Sequence, residues 1–168
     1  EDCEIGPNSR LTDMELADGV KFQTSTGLES SIGSGTTVGP FAYIRPNCHI
    51  GNNVKVGDFV EVKNSNIGNG TKIPHLSYVG DTDAGEKINF GSIMVNYDGE
   101  KKHRTTIHDH VFVGCNVNLV APVTIEKDSY IAAGSTITRD VPEDVLAVAR
   151  ARQTIIKGWK AKRVQKKS

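Results

Sequence analysis

The stretch IGSGTTVGPFAYIRPNCHIGNNVKVGDFVEV, residues 32–62, decides the fold. Its apolar residues Ile32, Val38, Ile44, Ile50, Val56 and Val62 recur every six positions. A helix needs a spacing near 3.6 and a simple strand alternates with a period of two, so six fits neither as a continuous element. It fits short strands joined by turns, one six-residue unit per side of a prism, with three units completing one coil. Each apolar residue then stacks on its equivalents in the coils above and below. The residue after the apolar one is often glycine (Gly33, Gly39, Gly51, Gly57), which frees the backbone at corners. Four positions after it comes a small or β-branched residue such as Thr36, Ala42, Cys48, Val54 or Val60.

Working outward, the series shortens by one step and resumes at Ile67, Ile73 and Val79, then at Ala84 and Phe90. It returns at Ile107, Val113, Leu119, Ile125, Ile131 and Ile137. The first 31 residues carry a looser version through Ile5, Leu11, Leu16 and Phe22, which places the start of the solenoid near the N-terminus. Residues 92–106, SIMVNYDGEKKHRTT, show no apolar column and contain the turn signal Asp98-Gly99, so this segment is expected to leave the solenoid as a loop. Such loops are usual places for binding sites. From residue 143 the chain is read as a separate arm and basic tail, with no acidic residue after Asp144. That arm is either a solvated tail or a carrier that brings Arg150 or Arg152 to an anionic ligand, with the last eight residues as tail. The organisation expected is a β-helix over 1–142 and an arm over 143–168.

Composition limits the function classes. Lysine plus arginine balance aspartate plus glutamate at 20 each, so no general attraction to nucleic acid is indicated. No run of 18 apolar residues and no charged-then-apolar leader is present, so a cytoplasmic protein without membrane insertion is expected. Cys3, Cys48 and Cys115 are odd in number and lack a CxxC pair, which predicts free thiols.

One histidine interrupts the scaffold logic. His75 stands two positions after the inward Ile73, near a corner, and is expected to face outward. Arg45, Lys63 and Tyr78 occupy outward positions on nearby coils. Two cations and a phenol beside an imidazole suit an anionic, hydroxyl-rich substrate, with histidine as proton acceptor. A zinc site is the competing chemistry. His103 and His108 form an HxxxxH with His75 upstream, loosely similar to hexapeptide-repeat carbonic anhydrases, and zinc would need three ligands converging at about 2.0–2.1 Å. An inactive trimerisation scaffold is the third reading.

The six-residue pattern resembles the hexapeptide repeat of left-handed parallel β-helix proteins; the handedness comes from that resemblance. A narrower resemblance rests on GPFAYIRP (39–46), VGDFVEVKNS (56–65), HLSYVGD (75–81), NYDG (96–99), VGCNVNLVAPVTI (113–125), AAGSTITRDVP (132–142) and AVARARQ (147–153). From about residue 3 to 158 the chain resembles the C-terminal half of the bacterial bifunctional N-acetylglucosamine-1-phosphate uridyltransferase/glucosamine-1-phosphate acetyltransferase family. The uridyltransferase half of that pattern has no counterpart in these residues, which implies either a piece of a longer protein or an isolated acetyltransferase domain.

The resemblance implies acetyl transfer from acetyl-CoA to the amine of glucosamine 1-phosphate, giving N-acetylglucosamine 1-phosphate for cell-envelope precursors, without a metal. It implies His75 as the general base. Arg45, Lys63, Tyr78, Asn89 and Lys102 match sugar-phosphate contacts. Ser92, Asn96, Tyr97, Cys115, Ala133 and Arg150 match positions lining acetyl-CoA. Cys115 stands where many members have serine, and the family transfers directly, so a lining role is implied rather than a covalent one. The resemblance also implies a homotrimer whose site combines residues of more than one chain.

One departure stands out. The family pattern Asn-x-Gly-x-Gly-Thr-Ile-x-x-Asn-Tyr-Asp-Gly meets Asn89-Phe90-Gly91-Ser92-Ile93-Met94-Val95-Asn96-Tyr97, which is two residues shorter after Ser92. Counting six from Phe90 puts Met94 in a slot that small residues fill elsewhere, an overpacking worth about 1–3 kcal/mol unless the backbone re-registers. The shortening should also displace Asn96, Tyr97 and any oxyanion donor at Ser92. Much weaker acetyl transfer is expected, unless the polypeptide carries two further residues there.

Overall fold

The computed structural model describes residues 1–159. The hexad residues fall into three parallel ladders that wind as an all-β, left-handed parallel β-helix of about eight coils. On the first face Phe22 pairs with Val38, Val38 with Val56, and Val56 with Ile73. The same row continues through Phe90, Val113 and Ile131 to Ala147. The second face stacks Ile44, Val62 and Val79, then Met94, Leu119 and Ile137. The third stacks Ile32, Ile50, Ile67, Ala84, Ile107 and Ile125. Nearly all of these side chains are under 5 % exposed. Removing one costs about 2–5 kcal/mol, because the coils above and below close over the void only in part.

Corners complete the coil. Phe41, Phe59, Leu76 and Asn116 hold left-handed φ of 59, 55, 49 and 56° at equivalent positions between the first and second faces. Inward hydroxyls at the small slots are satisfied locally: Thr36 Oγ1 donates to the Gly51 carbonyl (2.7 Å) and accepts from Val54 N–H (3.0 Å). Cys48 fills another such slot, buried, with its thiol against the Arg45 carbonyl (3.1 Å) and its pKa pushed up by burial. All three cysteines are free.

The structure corrects three sequence expectations. First, Met94 does not occupy a small slot. It pairs with Leu119, in the row that Val79 begins, and Ser92 takes the small inward position opposite Val117. Second, Ser92–Val95 and Thr105–Ile107 are strands of the solenoid, so the projecting loop is only 96–104. Third, the parallel ladder runs on to Leu146–Ala147, and Ala149 N–H bonds Ser135 Oγ, so the coil passes residue 142. The tail assigned to the last eight residues lies outside the described residues.

Re-registration changes the corner. Ile73 to Val79 and Val113 to Leu119 each span six positions, whereas Phe90 to Met94 spans four. The chain between them has no left-handed residue and cuts straight from the first face to the second. No side chain fits at Gly91, where a Cβ would sit 2.8 Å from Cys115 Cα and 2.9 Å from the Gly114 carbonyl oxygen.

Candidate active site

Two edges of the second face carry the chemistry-bearing residues. At its entry edge His75 is exposed on the corner Pro74–Ser77, with Asp58 as its ladder neighbour one coil earlier. Further along the same edge come Cys115 and Ala133, both exposed, and the Arg150 side chain passes beside Gly134. The coil geometry thus aligns the sequence-predicted base with three of the predicted acetyl-CoA positions.

At the exit edge the cations gather. Arg45 Nη1 pairs with Glu61 Oε1 at 2.9 Å, and its guanidinium lies 5.9 Å from the Tyr43 ring centroid. The Glu61 carboxylate raises the Arg45 pKa. The Lys63 amine is held below its ordinary range, first because the Lys102 amine stands against it, then through desolvation, with Arg45 adding to the effect. The Asp81 carboxylate opposes that shift, and Lys102 is raised first by its contact with Lys63 and further by Asp81. Glu61 answers Arg45, so three cations against two carboxylates leave one positive charge in excess on this edge, which suits an anion.

Asp81 organises this edge and was missed by sequence reasoning. Buried at φ 51°, it accepts hydrogen bonds from Asn64 Nδ2 (2.5 Å) and Asn96 Nδ2 (2.6 Å). Asn96 Nδ2 also lies 3.4 Å from Tyr78 Oη. The local signal was weak: Glu29, Asn47, Asn64 and Asp81 hold equivalent left-handed corners, and both the first and the last are charged.

The projecting loop delivers Lys102. Asp98 accepts the backbone N–H groups of Glu100 and Lys101 (2.8 Å each) and pairs with His103 Nε2 (2.6 Å). The Lys101 N–H first, then His103 and then the Glu100 N–H hold its carboxyl well below the usual carboxylate range. Tyr97 bridges Lys102 across the loop, its hydroxyl donating to the Gly99 carbonyl (2.6 Å). Arg104 anchors the loop's far end on Asp83 through bonds of 2.5 and 2.6 Å, and this pairing lowers the Asp83 pKa.

Several predicted residues sit apart from those clusters. Asn96 and Tyr97 belong to the cation edge rather than to the row of Cys115, Ala133 and Arg150. Asn89 is exposed on the first face, bridged to Lys72 and Phe112, away from the cations. Ser92 is 1 % exposed and its hydroxyl, without a hydrogen-bond partner, points into the core, so it cannot line a ligand through its side chain. The reason is the shortened corner, which rotates Ser92 into the inward slot. The histidines of the zinc reading lie on different parts of the prism: His75 at the entry edge, His103 tied to Asp98, and His108 after the third-face strand, 3.7 Å from Glu126. No three His, Cys, Asp or Glu side chains converge as metal ligands among the described residues.

Comparison with known proteins adds to this geometry. The bacterial transferase hexapeptide (six repeats) family matches residues 29–64 and 104–139, flanking the segment that carries His75, the short corner and Lys102. The bifunctional protein GlmU of Caldanaerobacter subterraneus subsp. tengcongensis is 59 % identical over 168 residues, covering 99 % of this chain and 37 % of that protein. GlmU of Clostridium novyi is 56 % identical over 167 residues, with 98 % and 37 % covered. The chain therefore spans little more than a third of these relatives' length. Among solved structures, a UDP-N-acetylglucosamine acyltransferase superposes with a TM-score of 0.72 at 20 % identity, covering 88 % of this chain and 67 % of that one. The Campylobacter jejuni enzyme of the same name gives 0.65 at 15 % identity, with 87 % and 71 % covered. At such identities these structures bear on the fold alone. The chain carries the bacterial transferase hexapeptide at residues 29–64 and 104–139 and, over nearly its whole length, is homologous to the C-terminal part of the bifunctional protein GlmU.

Proposed function

We propose that the chain transfers an acetyl group from acetyl-CoA to the amine of glucosamine 1-phosphate. The observation that carries this reading is the meeting of Arg45, Lys63 and Lys102 on one face whose other edge exposes His75. Homology to GlmU over 99 % of the chain supports it. The cations and Tyr78 hold the phosphate. His75 takes a proton from the sugar ammonium, because a protonated amine has no lone pair with which to attack. The amine nitrogen forms a bond to the thioester carbon, the C–S bond breaks, and the departing sulfur recovers a proton as the CoA thiol. Cys115, Ala133 and Arg150 line the path of the thioester along the entry edge. The step needs no metal, and its substrates place the protein in the cytoplasm.

The working unit is a homotrimer, and Arg150 stays beside Gly134 on the last coil of its own chain rather than reaching across on an arm. Phe41 and Phe59 stack with centroids 5.6 Å apart, and with Leu76 they form a ridge along the entry edge, 58, 58 and 71 % exposed. An apolar ridge of this kind, left to water, marks an interaction surface, and a second copy of the chain is its occupant.

Two expected results test the phosphate site. Glucosamine 1-phosphate should be acetylated with kcat/KM at least about 100-fold above that of glucosamine, since losing a charge-assisted phosphate clamp costs several hydrogen bonds to charged groups. Equal use of the two acceptors would remove the cations from recognition. Above about pH 8, where the phosphate is already a dianion, its binding should also take up protons. A phosphate beside Lys63 restores the ammonium that Lys102 depresses. Affinity is therefore full below the free-state Lys63 value and falls as pH rises past it. Calorimetry in buffers of different ionisation enthalpy reads that uptake, and Lys63→Met should abolish it.

A further inference from the structure

The short corner leaves a recess where other coils have substance. Pro74, His75, Leu76, Gly91, Cys115 and Asn116 line a cavity of ≈ 260 Å³. Its origin is geometric. Adjacent coils stack about 4.8 Å apart, and one coil omits the two corner positions that His75-Leu76 supply before it and Cys115-Asn116 supply after it. The flanking corners are thus roughly 9.6 Å apart at this point, two spacings instead of one. The cavity floor is the backbone around Gly91, where no side chain can enter. Pro74 and Leu76 line it, and the exposed His75 borders it.

We infer that this recess is an acyl pocket, and that the chain accepts acyl-CoA donors with chains longer than acetyl, propionyl and butyryl foremost. The inference rests on the proposed acyl transfer. The attacked carbonyl carbon must come within about 3–3.5 Å of an amine that His75 is deprotonating. Carbons beyond the acyl α-carbon consequently lie within a few ångströms of that imidazole. A regular corner would fill this space with backbone and side chains. Here the single chain leaves that space open, bordered by Leu76, Pro74 and Cys115, a surface suited to methylene groups. The bond changes stay the same: nitrogen joins the carbonyl carbon, the thioester C–S bond breaks, and CoA leaves as the thiol. Each methylene taken out of water into the recess strengthens donor binding by up to about fourfold.

The experiment compares acetyl-, propionyl- and butyryl-CoA with glucosamine 1-phosphate as acceptor, following thiol release, and measures each donor's Kd by calorimetry without acceptor. The expected result is that butyryl-CoA binds at least about fourfold tighter than acetyl-CoA and is turned over within tenfold of it. Inserting Gly-Thr after Ser92 should retain acetyl transfer and lower butyryl transfer by about 100-fold or more. Because an insertion can disturb folding, Asn116→Phe serves as a second variant that fills the recess from its rim. Phe41 and Phe59 already hold the same left-handed corner conformation that Asn116 adopts. Asn116→Phe should discriminate against butyryl-CoA in the same way. Turnover of acetyl-CoA with butyryl-CoA below 1 % of it, and no gain in binding, overturns the pocket while leaving acetyl transfer standing. Absence of turnover with every donor overturns the transferase reading and the pocket with it.

Discussion

Replacing His75 with alanine lowers turnover by about 10²–10⁴-fold, with a modest change in the affinity for glucosamine 1-phosphate. The imidazole projects from an exposed corner and carries no structural burden: its ring makes no hydrogen bond among the described residues, while the backbone is held by the ladder opposite Asp58 and by Ser77 Oγ, which donates to the His75 carbonyl at 2.9 Å. The substitution therefore removes a proton acceptor without opening a cavity. The phosphate clamp is on the opposite edge of the face and remains intact, which is why kcat falls and substrate affinity does not. Steady-state kinetics of His75→Ala, with circular dichroism to verify folding, checks this. Turnover within threefold of the parent would remove His75 from the mechanism.

Phe59→Arg is expected to convert the proposed trimer to monomers and to lower activity by about 100-fold or more. Phe59 is the middle of the ridge, stacked on Phe41 and followed one coil later by Leu76. A guanidinium at that place must be desolvated without a partner when chains associate, and an uncompensated buried charge costs about 3–5 kcal/mol. Repeated in each interface, that exceeds what the contact gains. The monomer itself should keep its fold, since Phe59 points away from the stacked core. Sedimentation velocity and turnover at matched concentrations measure both effects. A Phe59→Arg trimer of parental activity would place the interface on another face.

Most of the fold was legible because the six-residue series is redundant. Each column is specified many times over by Ile and Val, and any single weak unit is corrected by its neighbours. The same redundancy explains the error at Met94. Counting from Phe90 assumes corners of constant length, whereas register is set by which side chain fills the Val79–Leu119 column. Met94 fits that column and Ser92 fits the small slot, so the chain shortened its corner rather than overpack its core. Ser92 was misplaced for that reason, and the loop was drawn two strands too wide. At the candidate site, His75, Arg45, Lys63 and Tyr78 could be singled out because polar side chains on outward positions contrast with a scaffold. Asp81 escaped because aspartate at a left-handed corner is ordinary turn chemistry. Its value lies in holding Asn64 and Asn96 across three coils, a contact that no local pattern encodes.

The central claim is amide formation at the sugar amine, and the direct measurement is product analysis. Purified chain is incubated with acetyl-CoA and glucosamine 1-phosphate, and free thiol and sugar product are quantified together, with glucose 1-phosphate as the acceptor that lacks the amine. The account predicts N-acetylglucosamine 1-phosphate and CoA thiol in equal amounts, and neither above background with glucose 1-phosphate. Thiol release that ignores the acceptor, or no acetylated sugar at all, would contradict it.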